Sequence, residues 1–190
     1  MKPAKPHQLI TALALLLAAA AWPLAGQTPV WAAQGGPTAA GDPEPRPSIE
    51  VEAVAQLYFA DRSGLLLAAE ARVMPRQADA CQRAHWLVTE LIRGPRHGGL
   101  PTLPPESELR ALFLTPDETA TVDFSDAVRV HHPGGVRSEL LTVYAVVNTL
   151  ILNLPEVSAV KILIEGREVS TLAGHIALED PLNADMLLIR

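Results

Sequence analysis

"GPRHGGLPTLPPE", residues 94–106, decides the fold class of this chain. Gly94 and Gly99 stand at the spacing of a phosphate-cradling loop, which requires a strand before the first glycine and a helix after the last. The residues before the loop are of the wrong kind. In "QADACQRAHWLVTELIR" (residues 77–93), Ala80, Ala84, Leu87, Val88, Leu91 and Ile92 recur at helical spacing, so Gly94 follows a helix. A phosphate there would meet the carbonyl end of the helix, where the dipole is negative. Leu100 and Pro101 stand where a lysine and a hydroxyl residue would be needed. The stretch is a corner: Gly94 a left-handed C-cap, Pro95 a block to further helix, and the rest a crossover with Arg96 and His97 as loop side chains.

Working outward, "VAQLYFA" (54–60) alternates, "DRSG" turns the chain, and "LLLAAEARV" (65–73) runs back as the second strand of a hairpin. After the corner, "LRALFLT" (109–115) and "TATVDFS" (119–125) form a second hairpin across a type I turn in "PDE". "SELLTVYAVVNTLILNL" (138–154) puts Leu140, Val143, Tyr144, Val147, Leu150, Ile151 and Leu154 on one stripe. Ser138 is placed to cap that helix, and Pro155 ends it. "SAVKILIEGREV" adds a strand that turns at Glu165 and Gly166. The expected fold is α+β: one compact domain of order ββαββαβ, with two amphipathic helices packed on a mixed or antiparallel sheet.

The N-terminus has a different character. Lys2, Lys5 and His7 precede a Leu/Ala-rich run from Leu9 to Ala21, closed by Trp22 and Pro23. Residues 1–32 therefore read as a signal peptide, with an uncleaved signal anchor as the alternative. Residues 33–48 are a Pro/Gly/Ala-rich tether without apolar periodicity, and 49–190 the folded domain. The protein is expected to be exported, to the periplasm or the outer face of the cytoplasmic membrane. Loss of Lys2 and Lys5 leaves 13 basic against 21 acidic residues, a charge of −8. Lys161 is then the only lysine and the arginines are scattered, which speaks against nucleic-acid partners and against adhesion to an anionic membrane. Cys81 is the only cysteine, so no internal disulfide staples the domain, and a buried thiol is expected.

Each chemically suggestive group has a plainer structural role. Cys81 and His85 share a helix face and could form a nucleophile pair or half a metal site, but Cys81 lies on the apolar stripe. His131 and His132 have no carboxylate or cysteine at ligand spacing and read as exposed loop residues. Asp123, Ser125 and Asp126 end a strand, where such side chains bind local backbone. Glu70 and Arg72 read as a solvated pair, and His175 as a hydrogen-bonded structural residue. No catalytic, cofactor-binding or metal residue is assigned, and no cofactor is expected.

The series "LYFAD", "EARV", "ELIRGP", "VDFS", "NTL", "VKILIEGREV" and "LAGHI" occurs in the order that resembles the GerMN domain of sporulation and germination proteins, over residues 53–182. Here "LPPESE" replaces the usual Ile-Pro-Glu-Gly-type segment, and one copy fits in the chain. The resemblance implies a non-catalytic envelope module, similar to ring-building domains and associated with peptidoglycan or spore-cortex processes. Its expected partners are envelope proteins or peptidoglycan-processing enzymes, with self-assembly as a further possibility. A small cell-wall hydrolase using Cys81 with His85, or His175 with an acidic residue, is the competing class. A glycan- or peptide-binding module is a third. With three Trp, two Tyr and three Phe, and Trp22 and Trp31 in the leader, a sugar platform is poorly supplied.

Overall fold

Residues 53–76 and 79–190 are described by the computed structural model. The leader and tether expected over residues 1–48 lie outside them. Strands β1 (Ala53–Ala60) and β2 (Leu67–Met74) make the first hairpin, with Ala60 opposite Leu67. The return strand starts two residues later than the apolar run at Leu65 suggests, because Asp61 organises the turn. Its carboxylate accepts from Ser63 N, Ser63 Oγ and Leu65 N, and its N–H donates to Leu66 O.

Helix α1 (Ala80–Ile92) begins after Asp79, whose side chain accepts from Gln82 N at 2.8 Å. Residues 77 and 78 of the stretch read as helical lie outside the described residues. Strands β3 (Leu109–Leu114) and β4 (Thr119–Phe124) are antiparallel across the expected turn at Pro116 and Asp117. Glu118 N bonds Thr115 O and Glu118 then takes a left-handed φ of 61°, the pattern of a three-residue hairpin loop.

A short helix, α2 (Ala127–Val130), follows where no helix was expected. The long helix α3 (Val136–Asn153) starts two residues before Ser138, from Gly135 at φ 86°, with no side-chain cap. Ser138 is thus inside the first turn and is not the cap. β5 (Ala159–Ile164) lies parallel to β4, α3 being the crossover, and β6 (Arg167–Glu168) folds back antiparallel through Glu165 and Gly166. The second sheet is mixed, in the order β3-β4-β5-β6, beside the β1-β2 ladder. Met186–Leu188 form a 3-10 turn, after which Ile189 bridges Leu67 in parallel.

The core lies where α3 packs on β1, β5 and α1. Leu57, Leu87, Val147 and Leu150 are wholly buried there, each such side chain contributing about 1.5–3 kcal/mol. One apolar stripe was expected on α3, but Leu141, Thr142, Val143, Ala145, Val146, Val147, Asn148, Thr149 and Leu150 are all buried. A helix flanked by two sheets and a second helix has no solvent face over those turns. α1 behaves as expected, with Ala84, Leu87, Val88 and Leu91 inward.

α3 also finishes the outer edge of β1. Gln56 N donates to Asn153 Oδ1 and Asn153 Nδ2 to Gln56 O, each at 2.8 Å, while Tyr58 N donates to Thr149 Oγ1 at 3.1 Å. Among the described residues, no helix is long and apolar enough to cross a membrane.

Candidate functional site

The corner after α1 has the conformation its glycine suggests: Gly94 sits at φ 82° and its N–H bonds Leu91 O at 3.0 Å. It is also tied to the first hairpin. Arg72 is 4% exposed, so the expectation of a solvated Glu70–Arg72 pair is overturned. Its guanidinium donates to Glu70 Oε1 and to Glu90 Oε2, both at 2.6 Å, and to the carbonyls of Glu90 and Gly94. It also lies 5.1 Å from the centroid of the Phe59 ring. Glu70 accepts from Arg96 N and His97 N at 2.9 Å, and Arg93 and Arg96 both reach Glu90. Arg96 and His97 are therefore structural anchors as well as loop residues. Burial alone pushes the carboxyls of Glu70 and Glu90 up, but the bonds from Arg72 and its neighbours outweigh it and hold both below the usual carboxylate value.

The second polar centre is at the start of α3. Glu139 is completely buried. Its Oε1 accepts from Leu172 N and Ala173 N, and its Oε2 from His175 N and His175 Nδ1, at 2.8–2.9 Å. Here too burial pushes the carboxyl up, and the backbone N–H groups of Ala173, His175 and Ile176 with the His175 ring hold it down. The structural role expected for His175 is what the geometry shows. The partner, 36 residues away, was not foreseen.

His132 departs from the expected exposed pair: it is half-buried, while His131 is exposed. Thr142 Oγ1 donates to Thr102 O and so accepts from His132 Nε2 at 3.1 Å, while His132 Nδ1 accepts from Gly134 N at 3.0 Å. This network assigns a neutral ring protonated on Nε2. Burial depresses the pKa of His132, against the raising influence of Glu139.

Cys81 is only half-buried, against expectation, and its thiol donates to Leu112 O at 3.3 Å. His85 is exposed, its ring 3.4 Å from Thr89 Oγ1. Both residues border a shallow groove of about 400 Å³ beside Trp86, and no hydrogen bond joins them. Ser125 Oγ accepts from Glu108 N, but Asp123 reaches across the sheet instead of binding local backbone. Its Oδ1 accepts from Gly166 N at 2.8 Å and its Oδ2 faces Arg110 at 3.5 Å. Asp126 makes no side-chain cap for α2 and pairs with Arg129. Among the described residues, no group of three or more His, Cys, Asp or Glu side chains could hold a metal ion.

Glu90 and Glu139 escaped notice in the sequence. Their one signal is a carboxylate immediately beside apolar stripe positions, Leu91 and Leu140. Together these centres define an α+β domain whose best-placed acids are committed to holding loops. The chain belongs to the Germane family, described as sporulation and spore germination, whose model matches residues 56–170. That confirms the likeness read from "LYFAD" through "VKILIEGREV", while "LAGHI" lies beyond the matched residues.

Solved structures agree on the fold. The first GerMN domain of the sporulation protein GerM from Bacillus subtilis is 20% identical with a TM-score of 0.57, over 71% of this chain and 98% of that one. The tandem GerMN domains of the same protein are 24% identical with a TM-score of 0.55; 70% of this chain is matched and it spans 46% of the tandem chain. A protein from Clostridium perfringens described as a candidate lipoprotein is 20% identical with a TM-score of 0.50, over 70% of this chain and 87% of that one. A comparison with curated proteins finds no match.

Proposed function

We propose that this chain is a non-catalytic module of the cell envelope, exported by its apolar leader and working through protein–protein assembly in peptidoglycan or spore-cortex processes. One observation carries the reading: the buried and half-buried groups best suited to acid, base or ligand chemistry are engaged by the fold itself. Glu139 is filled by backbone N–H groups and His175, Glu90 by three arginines, and His132 by Thr142 and Gly134. A general acid or base needs a free position facing substrate. The family description and the GerM and lipoprotein neighbours support the envelope setting. The competing hydrolase would rest on Cys81 and His85, whose polar atoms already bond Leu112 O and approach Thr89, or on His175 with Glu139, a carboxylate that is wholly buried and also holds the backbone of Leu172, Ala173 and His175.

The test has two arms. Photo-cross-linkers at the exposed apolar positions Phe113, Val130 and Leu187 should capture discrete envelope proteins from intact cells, with the captured partner changing with position. The purified protein should leave isolated cell wall undigested. Wall hydrolysis abolished by Cys81→Ala in a variant that still melts cooperatively overturns the proposal.

A further inference from the structure

The corner at residues 94–100 is also one wall of a cleft of about 330 Å³, within the size range of small-ligand pockets, about 300–1,000 Å³. Phe59, Ala68 and Ala69 contribute from the first hairpin, and Arg62, Gly98 and Arg190 stand around them. Two carboxylates also border the space, but both are consumed. Asp61 serves its own turn and Glu70 serves Arg72, Arg96 and His97. Arg62 has no carboxylate partner among the described residues: its Nε donates to Gly98 O at 3.2 Å, leaving both Nη groups without a protein acceptor. Arg190 has one distant partner, Asp61 Oδ2 at 3.4 Å.

The described residues carry 17 acidic and 12 basic side chains, whereas in the lining of the cleft Arg62 and Arg190 match Asp61 and Glu70 in number, and only the Arg62 guanidinium is without a carboxylate partner. The cleft is also shaped around a glycine. Gly98 holds φ 72°, and a Cβ there would stand 2.8 Å from Arg62 Nη2, so glycine lets the guanidinium lie against the loop.

We propose that this cleft binds the free carboxylate at the end of a short peptide. A planar guanidinium fork matches a carboxylate in shape and charge. The methyl groups of Ala68 and Ala69 beside it suit a small aliphatic side chain, and the volume accommodates one or two residues. Such a carboxylate comes either from a wall peptide or from the end of a partner protein. The inference stands on the cleft alone and goes beyond the assembly reading.

The full chain is titrated by nuclear magnetic resonance with N-acetyl-D-Ala-D-Ala, N-acetyl-L-Ala-L-Ala and the C-terminal amides of both. The acids should shift the amides of Phe59, Ala69 and Gly98 saturably, and the amides should not. A preference for the D-peptide assigns the wall as the source, and a preference for the L-peptide assigns a protein terminus. Arg62→Gln should weaken binding about tenfold or more, the size of a lost charge-assisted bond. Gly98→Ala should weaken it by displacing the same guanidinium, while Arg167→Gln, outside the cleft, should not. The proposal is overturned if acid and amide bind alike, if neither binds, or if Arg62→Gln binds as the unaltered protein does.

Discussion

Glu90, near the end of α1, and Glu139, in the first turn of α3, are equally shut away from water, and the fold neutralises them by different means. Around Glu90 the charge is met by side chains: Arg72 from β2, Arg93 one turn on, and Arg96 from the loop. Around Glu139 it is met by the N–H groups of residues 172, 173 and 175 and a single imidazole. The first arrangement needs several long side chains brought into one geometry. The second needs only a turn curled over a carboxylate, so its strength depends on backbone shape. A cluster of ions should therefore fail all at once when its centre is removed, and a backbone nest should fail in proportion to the acceptors lost.

The largest expected effect is at the centre of the first cluster. Arg72→Ala leaves Glu70 and Glu90 facing each other without their shared cation and should cost about 3–5 kcal/mol in a urea melt. Glu139→Gln keeps one acceptor oxygen but turns an NH₂ towards backbone donors, for about 2–3 kcal/mol. The reverse order would break the comparison. Acid sharpens it further. The folded values of Glu70, Glu90 and Glu139 lie below 4.5, so their stabilisation is complete above that pH and drains away as pH falls through the folded values. Circular dichroism across that range should show a shallower acid limb for Glu139→Gln.

Two smaller effects concern the corner and the open surface. Gly94→Val introduces a Cβ that meets nothing within 4 Å, so only the left-handed φ of 82° resists it, at about 1–2 kcal/mol. A larger loss in a thermal melt would mean that the Arg72 bond to Gly94 O had gone too. Arg83→Ala removes a surface pair with Glu156 and should change stability by less than about 0.5 kcal/mol. That variant is the control against which both centres are read.

Alternation and helical spacing were enough to place both hairpins, both long helices and the strand at "VKILI", because those patterns report burial along a single element. The start of α3 was misread because Gly134 and Gly135 supply the turn through positive φ, a geometry that mimics no side-chain cap signal and left Ser138 as the tempting choice. α2 is a single turn, too short to show periodicity. The polar centres were invisible for another reason. Glu70 meets Arg96 and Glu139 meets His175 across 26 and 36 residues, and a carboxylate beside an apolar stripe looks the same whether it faces water or a loop. His132 shows the same limit, since its burial depends on Thr142, a turn and a half into the next helix.

Asn153 carries a consequence for how this protein meets its own kind. Its carboxamide presents one oxygen and one N–H to Gln56, as a neighbouring peptide unit would, and Thr149 does half as much for Tyr58. A strand edge left bare invites pairing with any extended chain and is a common seed of fibres. By letting a helix impersonate the missing strand, the fold closes β1 to cross-molecular sheet growth at Gln56 and Tyr58, without spending an extra strand or a disulfide to do it.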